Sequence, residues 1–460
     1  MSATLSPDIF KAYDIRGIVD KTLTTEAAYC IGQAYGSEAH AQGVKTVCIG
    51  RDGRLSGPAL SEALAKGLRS VGISVIDVGR VATPMLYFAA HELGTMSGIM
   101  VTGSHNPPDY NGFKMMLAGD TLAGDAIQSL YQRILHSDYV HTETVGDYQQ
   151  HAIVEAYLQR ILGDIQLARP MNIVVDCGNG VAGAFAPVLY RRMDCRVREL
   201  FCEVDGTFPN HHPDPSQPKN LQDVIHALRA TDAELGLAFD GDGDRLGVVT
   251  KEGNIIYPDR QLMLFAGDVL SRNAGAKVIF DVKSTRNLAP WIREMGGEPI
   301  MARTGHSFIK AKMKETGALL AGEMSGHVFF KERWYGFDDG MYAGARLLEI
   351  LSQVDNPSEV LNALPNSLST PELNIQLQEG ENHALIARLQ ASARFESAQE
   401  VITLDGLRVE YADGFGLARA SNTTPVIVLR FEAETESALH RIQEEFRQVL
   451  QAATSAALPF

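Results

Sequence analysis

Positive charge is what this chain is shortest of. Its 460 residues carry 41 lysines and arginines against 56 aspartates and glutamates, a formal net charge of −15. That balance repels polyanions, so nucleic-acid binding is disfavoured unless a local basic patch overcomes it. It also sets a condition on a phosphate ester as substrate, because cations must then be concentrated in one cleft against an acidic background. Cysteine is scarce too. The five thiols, Cys30, Cys48, Cys177, Cys195 and Cys202, are odd in number and include no C-x-x-C pair. Neither a disulfide framework nor a zinc cluster is indicated, and reduced core thiols are expected. No apolar run approaches a membrane span. Residues Met1 to Arg16 lack the basic segment and apolar core of a signal peptide, so no export is expected and the cytoplasm is the default.

What is present is the composition of a compact soluble protein, with 45% hydrophobic and 21% charged residues, neither disordered nor fibrous. The length exceeds one ordinary core and suggests about three domains, give or take one.

Along the chain one pattern repeats. Val47–Gly50 reads as a strand, Gly57–Val71 as a helix, Ser74–Val78 as a second strand and Gly98–Val101 as a third. The order returns with Ile173–Asp176, a helix over Val181–Met193, then strands at Arg196–Phe201 and Leu235–Phe239. It returns again with Val278–Val282, a helix over Leu288–Met295, Pro299–Met301 and Ala318–Ala321. Helical connectors are expected near His151–Leu162 and Asp259–Leu270. From about Leu368 the pattern changes: Thr370-Pro371 reads as a linker, followed by strands such as Val426–Phe431 and an amphipathic helix over Ser437–Leu450. The expected fold class is α/β, with three topologically related α/β domains and a C-terminal α+β domain. The expected boundaries are 1–150, 151–254, 255–367 and 368–460.

The loop leaving the third strand of each unit carries the unusual chemistry, holding Ser104, Asp240 and Glu323 in turn. Open α/β sheets place ligands at the carboxyl ends of their strands. Serine in such a loop is commonly a turn residue or a helix cap. Here His105 is adjacent and Lys114 follows ten residues on, which favours a nucleophile. No G-x-S-x-G elbow surrounds it, so an esterase reading is weak.

Asp240-Gly241-Asp242-Gly243-Asp244-Arg245 places three carboxylates at alternate positions of a glycine-rich loop. Hard oxygen ligands suit Mg²⁺ with positions open for phosphate or water. An EF-hand is excluded, because Arg245 and Lys251 stand where the calcium loop needs Gly and Glu. Gly322-Glu323-Met324-Ser325-Gly326-His327 alternates a carboxylate, a hydroxyl and an imidazole, groups that hydrogen-bond sugar hydroxyls. Arg419-Ala420-Ser421-Asn422-Thr423-Thr424-Pro425 gathers a guanidinium and several neutral donors suited to a phosphate dianion, although the same residues favour a plain turn.

With TGSHNP from Thr102, DGDGDR from Asp240, GEMSGH from Gly322 and RASNTTP from Arg419 in this order and spacing, the chain resembles the α-D-phosphohexomutases. It is most similar to their bacterial bifunctional phosphomannomutase/phosphoglucomutase branch. The resemblance covers all four domains and implies that they surround a central cleft, the fourth being mobile. It implies that Ser104 is carried as phosphoserine, with Mg²⁺ held by Asp240, Asp242 and Asp244 together with that serine's group. Arg245 would contact the phosphoserine, and Glu323 and Ser325 would hold sugar hydroxyls. Tyr13, Arg16, Lys283, His306 and His327 match cleft residues, and Arg419, Ser421, Asn422 and Thr423 match the phosphate-binding loop. Lys114 and His327 are the proton-transfer candidates, with His105 as the alternative.

The implied reaction interconverts hexose 1- and 6-phosphates of glucose and mannose, through glucose 1,6-bisphosphate as intermediate and activator in the glucose case. The expected partners are small hexose phosphates, with no nucleic acid or membrane, and a monomer is expected. Met324 bears on sugar preference, since phosphoglucosamine mutases more often carry Gln there. A phosphoglucosamine mutase, a magnesium-dependent sugar-phosphate phosphatase and an inactive sugar-phosphate binder are the alternative readings.

Overall fold

The apolar runs become parallel strands flanked by helices, as expected for segments buried on both faces. In the computed structural model, which describes residues 5–378, 380–422 and 424–460, strand Thr46–Arg51 lies between Ser74–Arg80 and Gly98–Val101, parallel to both. Met171–Asp176 likewise lies between Cys195–Leu200 and Leu235–Phe239. Lys277–Asp281 lies between Glu298–Ala302 and Leu320–Gly322. Each group runs second strand, first strand, third strand, so the triplication read from the sequence is a repeat of topology.

Two compact units are formed, Met1–Gln261 with Ser325–Ala363 and Leu262–Met324 with Leu364–Phe460. In the first unit the third strand of each parallel group hands over to an antiparallel partner. Gly98–Val101 pairs with Tyr110–Leu117, and Leu235–Phe239 pairs with Leu246–Thr250. The intervening turns are the TGSHNP and DGDGDR segments, and the sheets fix where those turns begin. Strand Ile15–Ile18 adds to the first sheet against Tyr110–Leu117, which draws the amino-terminal segment to the same edge.

The expected helix over Val181–Met193 is broken: Val181–Ala184 is a 3₁₀ turn and Ala186–Arg192 is the α-helix. Pro187 accounts for the break, because it has no N–H to give the carbonyl of Gly183 and its ring crowds that carbonyl. The connector expected over His151–Leu162 begins at Val154.

In the second unit the C-terminal sheet has six strands and is antiparallel throughout, centred on Gly414–Ala420 and Val426–Ala433. Thr370-Pro371, expected as a linker, lies between two short strands. Leu368–Ser369 and Leu373–Gln376 both pair with Val426–Ala433, and the Thr370 N–H donates to the Phe431 carbonyl at 2.9 Å. Pro371 interrupts an edge strand, the place in a sheet where a missing donor is tolerated.

All five cysteines are free thiols, and four are buried. Among the described residues no helix is long and apolar enough to cross a membrane.

Helix Glu436–Ala453 closes the C-terminal core with Phe446, which is 1% exposed and whose ring lies 4.8 Å from Phe395 and 5.2 Å from Phe431. Phe446→Ala is expected to lower stability by about 3–5 kcal/mol. Chemical denaturation followed by circular dichroism measures it.

Candidate active site

Ser104 is 2% exposed and sits in the turn after Gly98–Val101 with a positive φ of 48°. That region costs a non-glycine residue of order 1–3 kcal/mol and persists only where surrounding contacts over-determine it. Its N–H donates to Thr102 Oγ1 at 2.8 Å, and its Oγ lies 3.1 Å from Asp240 Oδ2 and 3.1 Å from His105 Nδ1. Burial, aided by the Arg245 and Arg16 charges, holds His105 well below the ordinary imidazole range, which disfavours its protonated form. Arg16 belongs to the same cluster. It donates to the Gly103 carbonyl at 2.6 Å and pairs with Asp14. Tyr13 is half-buried in the segment before Ile15–Ile18.

Asp240, Asp242 and Asp244 are fully buried, with a carboxylate oxygen from each within 4.8 Å of the others. Gly241 permits this turn, because a Cβ there would meet the Ser104 carbonyl oxygen at 2.2 Å. The aspartate loop and the serine loop are therefore pressed together backbone to backbone.

Lys114, on Tyr110–Leu117, reaches Asp242 Oδ2 at 2.8 Å and also pairs with Asp244. Burial alone would pull its ammonium down, but Asp242 and Asp244 outweigh that and hold it well above its usual value. Asp242 is correspondingly held far below the carboxylate range by Lys114 despite burial, and Thr83 donates to it as well. Asp240 goes the other way, raised well above by burial and by the Asp242 and Asp244 charges. Among the described residues, Asp242 Oδ1 and Asp244 Oδ1 are buried and accept no hydrogen bond. These all-oxygen, mutually repelling ligands fit a hard divalent cation.

Arg245 lies 3.7 Å from Asp240 Oδ2, and its Nε donates to His327 Nε2 at 3.1 Å. A guanidinium can only donate, so His327 Nε2 is an acceptor and the ring proton sits on Nδ1, which faces Asp338 Oδ2 at 3.0 Å. Ser325 is half-buried two residues before His327. The first unit thus brings together Ser104, His105, Lys114, Arg16, the three aspartates, Arg245 and His327.

In the second unit, Glu323 Oε1 accepts from the Gly305 N–H at 2.6 Å, and His306 opens helix His306–Thr316. Lys283 Nζ lies 3.3 Å from Glu372, which it holds below the ordinary carboxylate range. Arg419 Nε meets Asp405 Oδ2 at 3.1 Å, and the same oxygen accepts from the Thr304 N–H at 3.0 Å. Ser421 donates its N–H to Val426 at 3.0 Å, which closes the loop that carries Asn422. Thr423 lies outside the described residues.

The sequence reading missed Thr83, Asp338, Glu372 and Asp405, and above all Asp52 and Arg54. Arg54 is 2% exposed and gives Nη2 to the carbonyls of Ser104 at 2.9 Å and Asn106 at 2.6 Å. It gives Nη1 to Pro107 at 2.5 Å and Tyr110 at 2.9 Å. Hydrogen bonds from a charged donor contribute about 1.5–3 kcal/mol each, enough together to hold a strained turn. Asp52 accepts from Thr102 Oγ1 at 2.8 Å and Gly103 N at 3.2 Å, and lies 3.4 Å from Arg54 Nε. One signal was available. Asp52-Gly53-Arg54 directly follows the first strand, at the same sheet edge as the Ser104 turn.

With this geometry in hand, comparison with known proteins is informative. The phosphoglucomutase/phosphomannomutase α/β/α domains I, II and III match residues 7–141, 155–253 and 257–368. The C-terminal domain of the same family matches 372–449. A phosphoglucomutase of Neisseria gonorrhoeae is 66% identical over 450 residues, 98% of each chain. A phosphomannomutase/phosphoglucomutase of Pseudomonas aeruginosa is 59% identical over 454 residues, 98% of this chain and 97% of that one. A crystal structure of a phosphoglucomutase/phosphomannomutase family protein from Burkholderia thailandensis superposes with a TM-score of 0.95 at 61% identity, covering 99% of this chain and 100% of that one. The motifs in register, the repeated topology and these full-length matches together make the chain a member of the phosphoglucomutase/phosphomannomutase family.

Proposed function

We propose that this chain interconverts hexose 1-phosphates and hexose 6-phosphates, of glucose and of mannose, by carrying a phosphoryl group on Ser104. The observation that carries the reading is Ser104 Oγ at 3.1 Å from a buried aspartate of the triad, with Arg16 on the serine turn and Lys114 and Arg245 on the aspartates. In a chain of net charge −15, that concentration of cations is where a phosphate dianion is stabilised.

Phosphorylated Ser104 donates its phosphoryl group to the free hydroxyl of a bound hexose monophosphate, giving the 1,6-bisphosphate, and takes back the phosphate from the other carbon. When bound at Asp240, Asp242 and Asp244, Mg²⁺ supplies Lewis-acid stabilisation of charge on the transferring group. Lys114, fixed as a cation by its two carboxylates, and Arg245 stabilise charge on the phosphoryl oxygens. His327 is assigned to the sugar hydroxyl's proton through Nε2, the ring nitrogen that Asp338 leaves unprotonated, once that nitrogen gives up the hydrogen bond it accepts from Arg245 Nε. His105, with Nδ1 3.1 Å from Ser104 Oγ, is the alternative proton-transfer group. Glu323 and Ser325 are assigned to sugar hydroxyls, together with Tyr13, Lys283 and His306, and the loop bearing Arg419, Ser421 and Asn422 to the phosphate that is not reacting. The segments 1–150, 151–254, 255–367 and 368–460 each contribute one of these loops.

A coupled assay with glucose, mannose and glucosamine 1-phosphates, with free phosphate measured in parallel, tests the reading. Glucose and mannose phosphates are expected to be isomerised and glucosamine phosphate to be much poorer. Stoichiometric free phosphate would instead indicate a phosphatase. Ser104→Ala is expected to remove nearly all turnover while the circular dichroism spectrum is unchanged. Chelation is expected to abolish activity and Mg²⁺ to restore it, whereas Asp242→Asn should weaken Mg²⁺ binding by calorimetry and lower kcat about 100-fold or more. Arg419→Ala should raise KM and lower kcat/KM at least tenfold for both 1- and 6-phosphates, with Ser104 still able to carry phosphate by intact mass.

A further inference from the structure

We infer that Arg54 is a positioning residue for the phosphoryl-carrying serine, acting through the serine's own main chain; this rests on the reading of Ser104 given above. Four of its hydrogen bonds fall within residues 104–110, and one is to the Ser104 carbonyl itself. An arginine serving only to pack elements would divide its donors among several segments. This one spends both terminal nitrogens on a single turn.

The Ser104 carbonyl oxygen is held from two sides. Arg54 Nη2 donates to it at 2.9 Å, and Gly241 of the aspartate loop lies so close that an added Cβ would stand 2.2 Å away. Gly103 presses on the guanidinium in turn, with an added Cβ at 2.2 Å from Arg54 Cζ. The Phe208 ring lies 5.1 Å from Cζ, and Asp52 fixes the turn's first residues. Pulling that carbonyl to Arg54 holds φ at 48° and so aims Oγ at Asp240 and His105. Without the fork the turn relaxes toward ordinary φ and Oγ leaves its place between those partners. Arg54 touches none of the groups assigned to the sugar or its distal phosphate, so its loss should appear in the transfer step alone.

The test uses the full-length enzyme with Mg²⁺. Arg54→Lys keeps the charge and loses the planar fork. The rate at which glucose 1,6-bisphosphate phosphorylates Ser104 is followed by intact mass after rapid quench, beside steady-state kcat and KM. A misplacement near 1 Å is worth about 100-fold. Arg54→Lys is therefore expected to slow both phosphorylation and kcat by about 10- to 100-fold, with KM within threefold of wild type. A folded variant that phosphorylates within threefold of the wild-type rate overturns the inference, as does one whose KM rises with kcat unchanged. If Arg54→Lys does not fold, Asp52→Asn decides by the same two measurements, with a slowing of at least fivefold expected and wild-type rates overturning the inference. Wild-type protein that takes no phosphate on Ser104 would instead overturn the function proposed above.

Discussion

Crowding of like charge in a buried site organises this molecule. Three carboxylates from alternate positions of one turn are fully buried within 4.8 Å of each other. Two unit charges 4 Å apart repel by about 4 kcal/mol at an effective dielectric near 20. The chain meets that repulsion unevenly. Lys114 lies against Asp242 and Asp244 and holds Asp242 ionised, while Asp240, farther from a compensating cation, is raised by burial and by its neighbours. The site is thus left with oxygens that hydrogen bonding does not use and that a divalent cation fits.

A second constraint is backbone contact between turns from different strand groups. The Ser104 carbonyl lies against Gly241, so the serine and aspartate loops cannot move independently. The position of Ser104 is a main-chain property, set by Arg54, Arg16 and Asp52 from other segments of the same unit. The strain at Ser104 is kept because these contacts outweigh it.

In the second unit the cations are already paired. Lys283 rests on Glu372 and Arg419 on Asp405, with the Thr304 N–H completing the Asp405 contact. Ion pairs of this kind keep long side chains ordered and leave them exchangeable for a phosphate oxygen, which hydrogen-bonds a guanidinium in the same bidentate manner as a carboxylate.

Periodicity and composition by themselves determined a good deal. Buried parallel strands read as unbroken apolar runs, so the three repeated groups were legible, and short glycine-rich loops at strand ends marked Ser104, the aspartates and Glu323 as candidate positions. The helix over Val181–Met193 was read as unbroken because Pro187 acts through the partner it denies a hydrogen bond, and that partner is known only once the chain is folded. What tertiary structure alone decided is which groups meet. Lys114 reaches Asp242 across a sequence separation of 128, and Asp338 orients His327 from the far side of the ring. Arg54 is a single basic residue in an unremarkable turn until folding collects four carbonyls around it. Sequence patterns report the secondary structure a residue adopts and the face it occupies. Contacts to backbone groups carry no side-chain signature, so the scaffolding of the Ser104 turn was invisible until the loops were brought together.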